Sequence, residues 1–339
     1  MGRNCTLACE LDGGRILKNA MQDDLRGDLG SGPGRVGLLV WILLLFVGSL
    51  LVAAFLAPVV FNLLLWLGRS VRALEFLRDV EFERVCSRTV LLVLLVSVFP
   101  MLKISGIGGT LRSLGFPPVQ DWSRRVWRGL LLGSISMLVV LLAGWWSGAY
   151  DLASDIGWGV AGRVVGYLVG AVIVGVIEEW FFRGVLFGIL RAGMGFWGGA
   201  IVSSAVFSSI HFAKPVPASG VVYGHWYSGF SLMPYMFQDA NAGPDHYFPV
   251  ALTLFLMGMV LCAFYQKSGS LYFVIGLHAG WVWVMRVGVY FFERNVEHLR
   301  VLFGSTELVS KSYIALLVIL TFFGVALLAP NRSGSRGTL

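Results

Sequence analysis

The feature that most constrains this chain is a run of 33 residues, 36–68, without a single charged side chain. A helix needs about 20 apolar residues to cross the roughly 30 Å of hydrocarbon in a bilayer, so this run is long enough to span one. Similar runs recur along the 339 residues, of which 57% are hydrophobic and only 13% are charged. Soluble domains carry about a quarter charged residues, so the chain is predicted to be an all-α, polytopic integral membrane protein.

Counting the apolar runs predicts about eight transmembrane helices that form a central helix bundle. The predicted spans are 36–68, 89–102, 129–150, 160–192, 192–213, 246–266, 268–292 and 312–330. Pro58 is expected to kink the first span or to end it before an interfacial piece.

The distribution of Lys and Arg predicts the orientation in the membrane. With eight spans both termini lie on one side, and the loops on that side carry slightly more basic residues than the loops opposite. We therefore expect cytoplasmic termini and a location in the inner or plasma membrane of the cell. Because the net charge of +7 comes from residues that flank apolar runs, membrane lipid is the expected surrounding and no nucleic-acid partner is expected.

The chain divides into four predicted regions. Residues 1–35 balance acidic and basic side chains and are expected to be a flexible polar tail, and 36–159 hold the N-terminal transmembrane helices and their linkers. Residues 160–292 form a core with ionisable residues inside apolar runs, and 293–339 hold the last transmembrane helix and a short tail. Within the core, 213–248 is rich in Gly, Pro and aromatic residues and is expected to lie at the membrane interface as a lid.

The sequence GVIEEWFFRG places Glu178, Glu179 and Arg183 inside the otherwise apolar fourth span. Each charge at the centre of a membrane helix costs about 2.5–3.5 kcal/mol on insertion scales, so such residues face a cavity or one another. Glu179 and Arg183 are four residues apart with the glutamate first, which favours an ion pair on one helical face. Glu178 lies ~100° around the helix from Glu179 and is therefore predicted to be the free carboxylate.

Two histidines occur in neighbouring apolar spans, His211 near the end of the fifth and His278 near the start of the seventh. If the chain turns near 193–195, Glu178 and His211 lie at similar depths, about 23–26 Å from the turn, and are expected to face each other. His278 reaches that depth only if the helices tilt or the fourth helix protrudes beyond its neighbours. A carboxylate and two imidazoles around one cavity exceed what helix association requires, which favours a functional site.

These residues resemble the motifs of the CPBP or Abi family of intramembrane proteases, which includes the CAAX prenyl endopeptidases. The family motif EExxxR is similar to the stretch from Glu178 to Arg183, and the motif FxxxH is similar to the stretch from Phe207 to His211. The third motif, a histidine in an apolar helix, is met at His278. Four residues later the family has Asn or Asp where this chain has Val282.

The resemblance implies an intramembrane endopeptidase whose peptide or protein substrate is membrane-associated or lipidated. It implies that Glu178 activates a water molecule as general base with the help of His211, and that His278 stabilises the oxyanion. For the donor that the family supplies at the position of Val282, the alternatives are Trp281, a backbone amide or ordered water. The supporting residues that the resemblance implies are Glu179, Arg183 and Phe207.

Other interpretations stay open on the residues alone. A zinc-dependent form of the same protease would use Glu178, His211 and His278 as metal ligands. The cluster also suits a proton or ion relay in a transporter, and the valine in the third motif suits an inactive scaffold. Because Glu179 is expected to pair with Arg183, few acceptors are left to orient the imidazoles on a metal, so a site without a metal cofactor is favoured.

Overall fold

In the computed structural model, the described residues are 35–105, 112, 114–154, 157–212, 223–235, 244–294, 318–322 and 324. Helices dominate these residues, which confirms the all-α prediction. The described strands are two short segments, β1 (Tyr150–Leu152) and β2 (Phe292–Arg294), which pair antiparallel. The predicted tail up to residue 34 and half of the predicted lid, 213–222 and 236–243, lie outside the described residues.

The helices define the order of the chain. In the described residues the α-helices are α1 (Arg35–Ser70), α2 (Phe82–Ser105), α3 (Trp122–Trp146), α4 (Val160–Glu179), α5 (Gly188–His211), α6 (Ser228–Leu232), α7 (Pro244–Ser268) and α8 (Leu271–Phe291). A 3-10 helix, Arg72–Asp79, joins α1 to α2, a second, Met233–Tyr235, follows α6, and a π-helical segment, Trp180–Phe187, joins α4 to α5. The chain stays helical through Pro58 and does not break there.

Five helical segments of the described residues are long and apolar enough to cross a membrane. They are Leu43–Ser70, Trp122–Trp146, Val160–His211, Phe248–Ser268 and Leu271–Phe291. These segments confirm a polytopic membrane protein, whereas the predicted count of eight spans is not confirmed. Val160–His211 contains both the fourth and the fifth predicted spans, and the eighth predicted span falls largely outside the described residues.

The fourth and fifth predicted spans form a hairpin that turns at Gly195. This residue has φ +75°, in the left-handed region that glycine adopts without strain. The two arms lie in close contact, because a Cβ atom on Gly199 would stand 2.7 Å from the backbone nitrogen of Arg191. The turn predicted near 193–195 is therefore confirmed.

Helices α3 and α8 pack with their backbones in contact through glycines spaced four residues apart. A Cβ atom on Gly129 of α3 would lie 2.1 Å from a carbonyl oxygen of α8, and one on Gly276 of α8 would lie 2.0 Å from a carbonyl oxygen of α3. Gly133 and Gly280 repeat this arrangement one turn further along. Small residues at this spacing let transmembrane helices approach closely, and here they fix the position of α8.

Helix α4 packs against another part of α8 and runs antiparallel to it. Gly175 lies against Ile275 and Ala279, in the first half of α8. Just past the middle of α8, the indole N–H of Trp283 donates a hydrogen bond of 3.0 Å to the carbonyl oxygen of Val164, near the start of α4. Helix α8 is therefore held by α3 and α4 together.

The π-helical segment between α4 and α5 is enclosed by two apolar clusters. One cluster joins Val98 of α2 to Phe182, and the other joins Phe187 to Cys262 of α7. All residues of the segment except Trp180 are buried. Because π-helical turns inside α-helices occur frequently at functional sites, this buried segment marks a place for closer description.

Candidate active site

Glu178 and Glu179 end α4, and Arg183 follows in the π-helical segment. Glu179 Oε1 accepts a hydrogen bond of 2.8 Å from Arg183 Nη1, and both side chains are fully buried, so the predicted ion pair is confirmed. The side chain of Glu178 is 24% exposed, and its buried Oε2 has no hydrogen-bond partner among the described residues. The two adjacent glutamates therefore differ as predicted: Arg183 binds Glu179 and not Glu178.

His278 stands between the two glutamates. Its Nδ1 is 2.7 Å from Glu179 Oε1, and its Nε2 is 3.8 Å from Glu178 Oε2. Because a carboxylate oxygen accepts a hydrogen bond from the imidazole, Nδ1 carries the proton in this contact. The Nε2 atom is consequently the one turned toward Glu178, the carboxylate that keeps access to the outside.

The depth of His278 follows from the register of α8. A Cβ atom on Gly184 would lie 3.3 Å from the Leu271 side chain, so the start of α8 is level with a residue only five positions after Glu179. The seven residues from Leu271 to His278 then cover about 10 Å and bring the imidazole back to the level of Glu179. Of the two sequence-based explanations, the protruding fourth helix agrees with this register, since residues 185–194 continue beyond the start of α8.

The aromatic ring of Phe207 joins the second histidine to the cluster. Its centroid is 4.6 Å from Arg183 Cζ, within the range of a cation–π contact, and 4.6 Å from the ring of His211. It is also 6.1 Å from the ring of His278, in an edge-on orientation. His211 Nδ1 is 2.8 Å from the carbonyl oxygen of Phe207, an acceptor, so this nitrogen carries the proton and Nε2 is the basic atom.

The cluster joins two carboxylates to one guanidinium and one imidazole. A His278 imidazolium would offer a second N–H at Nε2 while Nδ1 is bound to Glu179.

The structure corrects one alternative for the oxyanion donor. The indole N–H of Trp281 donates a hydrogen bond of 3.0 Å to Ser136 Oγ on α3, so Trp281 was the wrong candidate. The side chain of Val282 packs in an apolar cluster with Leu130 and Ala171, and it offers no hydrogen-bond donor. Of the donors that sequence reasoning named within α8, the imidazole of His278 is the one placed beside Glu178.

The structure also corrects the argument about acceptors for a metal site. Glu179 serves His278 as well as Arg183, and the Phe207 carbonyl serves His211, so each imidazole has an acceptor at Nδ1. Histidines that ligate metals are commonly oriented in this way. In the part of the chain that the structure describes, no group of three or more His, Cys, Asp or Glu stands in an arrangement that could hold a metal ion. The donor types suit zinc in chemical kind, whereas their placement among the described residues does not, and chelation distinguishes the two interpretations.

Sequence reasoning missed the residues that hold α8 in place. These are Gly129, Gly133 and Ser136 of α3 and Gly276 and Gly280 of α8. The available signal was the GxxxG spacing in two apolar segments, which is typical of close helix contacts in membranes. Their contribution to the site is indirect, because they determine where His278 lies.

Comparison with known proteins agrees with the motifs. Residues 160–284 match the family model described as Rce1-like, type II CAAX prenyl endopeptidase. The match confirms the predicted resemblance over this segment, which contains all three motifs. Together with the five apolar helices it supports a membrane protein and an enzyme of the CAAX protease type. No curated protein matches the chain.

Proposed function

We propose that this protein is an intramembrane endopeptidase that cleaves a peptide bond in a membrane-associated or lipidated substrate. The observation that carries the proposal is the position of His278, with Nδ1 on Glu179 and Nε2 toward Glu178. This arrangement supports a mechanism in which one carboxylate acts as a base and the neighbouring imidazole N–H donates to an oxyanion. The match of residues 160–284 to CAAX prenyl endopeptidases supports the substrate class.

In the proposed first step, Glu178 takes a proton from a water molecule, and the oxygen of that water adds to the carbonyl carbon of the substrate. The unprotonated Nε2 of His211 accepts a hydrogen bond from the other O–H of this water and thereby orients the water molecule. The carbonyl oxygen becomes an oxyanion, which receives a hydrogen bond from the protonated Nε2 of His278. In the second step the C–N bond breaks, and the proton on Glu178 goes to the leaving amine.

Glu179 and Arg183 support this chemistry without touching the substrate. The guanidinium holds Glu179 through a 2.8 Å hydrogen bond, and the carboxylate fixes the orientation of His278 through a 2.7 Å contact. Phe207 covers the guanidinium and contacts both imidazoles. The interior position of these residues excludes water from the pair, which strengthens its electrostatic interactions.

The proposal is tested with purified protein in proteoliposomes and a library of peptides with and without a C-terminal lipid. Glu178→Gln keeps the shape of the side chain but removes the base, so we expect kcat to fall by about 10²–10⁴-fold with an unchanged melting temperature. Glu81→Gln is the matched control, because Glu81 is exposed and forms a surface ion pair with Arg84 at 3.0 Å. An active Glu178→Gln enzyme would overturn the assignment of the base. Folded wild-type protein without any cleavage would favour the transporter or the scaffold.

A second form of the function, a metal-dependent protease, is favoured by one observation. The Nδ1 atoms of His211 and His278 both face acceptors, which is the orientation of metal ligands. Glu178, His211 and His278 would hold the metal, which would supply a water molecule of lowered pKa. Elemental analysis with prolonged chelation separates the two forms. About one zinc per chain, with activity lost on chelation and restored by zinc, identifies the metalloprotease.

A further inference from the structure

One end of the helix bundle carries basic residues almost without acidic ones. At this end the backbone N–H of Leu271, at the start of α8, donates a hydrogen bond of 2.8 Å to the carbonyl oxygen of Gly115, which precedes α3. Helix α2 ends here as well, because the segment that contains Gly115 joins α2 to α3. Arg191, near the α5 turn, donates to Gln266 at the end of α7. The described basic residues of this end, which we call the basic end, are Lys103, Arg112, Arg124, Arg125, Arg128, Arg191 and Lys267.

Carboxylates neutralise only a small part of this charge. Among the described residues of the basic end, Asp121 is the one acidic residue, and its carboxylate accepts a hydrogen bond of 3.1 Å from Arg125 Nε. Four exposed basic residues form no ion pair with any described residue: Lys103, Arg112, Arg124 and Arg128. The basic end therefore presents several positive charges that the described part of the chain does not compensate.

The connection between α1 and α2, at the opposite end of α2, is different. Residues 69–88 contain five arginines and four acidic residues, and they form two ion pairs, Arg78–Glu75 at 2.8 Å and Arg84–Glu81 at 3.0 Å. A bias of Lys and Arg toward one side of a membrane does not require that carboxylates be absent there, because Asp and Glu contribute little to orientation. The lack of compensating charge at the basic end therefore needs a further explanation.

The basic end lies at the level of the lipid headgroups. In α3, residues 129–146 contain no charged side chain and cover about 27 Å, close to the roughly 30 Å of the hydrocarbon. Trp122 is 54% exposed at one end of this stretch, and Trp146 is 92% exposed at the other. Exposed tryptophans at both ends of an apolar stretch are typical of the two membrane interfaces. Arg124 and Arg128 therefore lie where the phosphates of a bilayer lie.

A cavity of about 450 Å³ lies at the start of α3. It is lined by Val119, Gln120, Asp121, Ser123, Arg124 and Arg125. The guanidinium of Arg125 binds Asp121, whereas Arg124 has no ion-pair partner among the described residues and carries five N–H donors. The volume lies in the range of about 300–1,000 Å³ of small-molecule pockets, so the cavity has room for a phosphate headgroup.

We propose that the basic end binds the headgroups of anionic phospholipids, with one phosphate in the cavity beside Arg124. Charge complementarity carries the proposal, since an anionic headgroup supplies the negative charge that the described residues lack. The position favours a lipid over a soluble partner, because Trp122 places the same surface in the membrane interface. The inference is independent of the proposed reaction.

The test measures lipid binding and does not depend on activity. The full-length protein in a neutral detergent is titrated with phosphatidylglycerol, with phosphatidylcholine of the same acyl chains and with water-soluble glycerol phosphate, and native mass spectrometry measures the bound fraction. We expect phosphatidylglycerol to bind more tightly than the other two. Each basic residue near an anionic surface contributes about a five-fold factor in affinity, so a double variant with Arg124→Gln and Arg128→Gln should bind phosphatidylglycerol about 25-fold more weakly.

The matched control is a double variant with Arg72→Gln and Arg88→Gln. It loses the same charge from exposed positions of the acid-rich 69–88 segment, and we expect its affinity for phosphatidylglycerol to be unchanged. As single variants, Arg124→Gln should weaken binding more than Lys103→Gln does, because Arg124 lines the cavity. Equal effects of these two would refute the placement of a headgroup in the cavity.

Other outcomes would overturn the proposal as a whole. Equal affinities of the wild type for phosphatidylglycerol and phosphatidylcholine would show that the surface does not select anionic lipid, and equal losses in the two double variants would show that the basic end is not the place of binding. Glycerol phosphate that binds as tightly as phosphatidylglycerol would identify a site for soluble phosphates. A poly-glutamate peptide that binds more tightly than the lipid would identify an acidic protein partner instead.

Discussion

Helix α8 contacts its two neighbours in different ways. Toward α3 the contact depends on shape, because Gly276 and Gly280 bring the two backbones together without any charge. Toward α4 the contact also includes charged groups, because His278 bridges two glutamates beside the packing of Gly175 on Ile275 and Ala279. Close backbone packing tolerates almost no added volume. An ionic contact needs accurately placed groups and contributes little net stability. The comparison indicates that α3 positions α8 and that α4 supplies the carboxylates that His278 contacts.

Glycine spacing alone does not create a tight contact. Gly162, Gly166 and Gly170 of α4 repeat the four-residue spacing, yet a Cβ atom on any of them would have no neighbour within 4 Å among the described residues. The glycines of α3 and α8 differ because each pair lies opposite the other pair. The effect of a substitution is therefore expected to depend on the facing helix rather than on the motif.

The largest effect, on folding, is expected from a substitution in the glycine contact between α3 and α8. Gly276→Leu places a side chain where even a Cβ atom would lie 2.0 Å from a carbonyl oxygen and 2.8 Å from a backbone nitrogen of α3. Because backbone atoms cannot move aside without separating the helices, we expect no folded protein after extraction in detergent. Size-exclusion chromatography and thermal unfolding measure this.

The matched control for that substitution is Gly166→Leu, on the open face of α4. We expect this variant to fold and to keep its activity. A folded Gly276→Leu protein with wild-type activity would show that α3 does not position α8.

The next largest effect is expected from a substitution in the contact of His278 with the glutamates of α4. Glu179→Ala leaves Arg183 buried and unpaired, which costs about 3–5 kcal/mol, and removes the acceptor of His278 Nδ1. We expect a large fall in melting temperature together with loss of cleavage. Glu178→Gln is the comparison, because it should lose cleavage and keep the melting temperature. If Glu179→Ala melts like the wild type, the buried pair has no structural role.

A smaller effect is expected at the hydrogen bond beside the glycine contact. Ser136→Ala removes the acceptor of the Trp281 indole N–H, and a buried donor without a partner costs about 1–3 kcal/mol. Activity should fall less than stability, because the α3 glycines still hold α8. Ser147→Ala serves as control, since Ser147 follows the last residue of α3 and its Oγ donates to the nearby carbonyl oxygen of Gly144 at 2.9 Å. Equal melting temperatures for the two variants would show that the indole bond contributes nothing.

The smallest effect is expected at the α4 glycines, which have the four-residue spacing but no facing helix among the described residues. Gly166→Ala adds a methyl group to open space in a helix, and alanine favours a helix over glycine by about 0.5–1 kcal/mol. We expect a melting temperature equal to or slightly above that of the wild type. A clear fall would indicate that this face of α4 packs against something, and the contrast with α8 would then be wrong.

The sequence by itself determined the features that depend on composition and on near neighbours in the chain. Long uncharged runs require a membrane, whatever the arrangement of the helices. The pair of Glu179 and Arg183 follows from a four-residue spacing, and the turn at Gly195 follows from where two apolar runs meet. These predictions held because a helix has a fixed rise and a fixed angle per residue.

Only the tertiary structure decided which distant residues meet. Sequence reasoning assigned Glu179 to Arg183 alone, but Glu179 also binds His278, 99 residues away. It left Trp281 available for the substrate, but Ser136, 145 residues away, takes the indole N–H. The physical reason is that such contacts depend on the register and rotation of α8 against α3 and α4. The paired glycines set both, and nothing in the sequence near His278 indicates which helix they face.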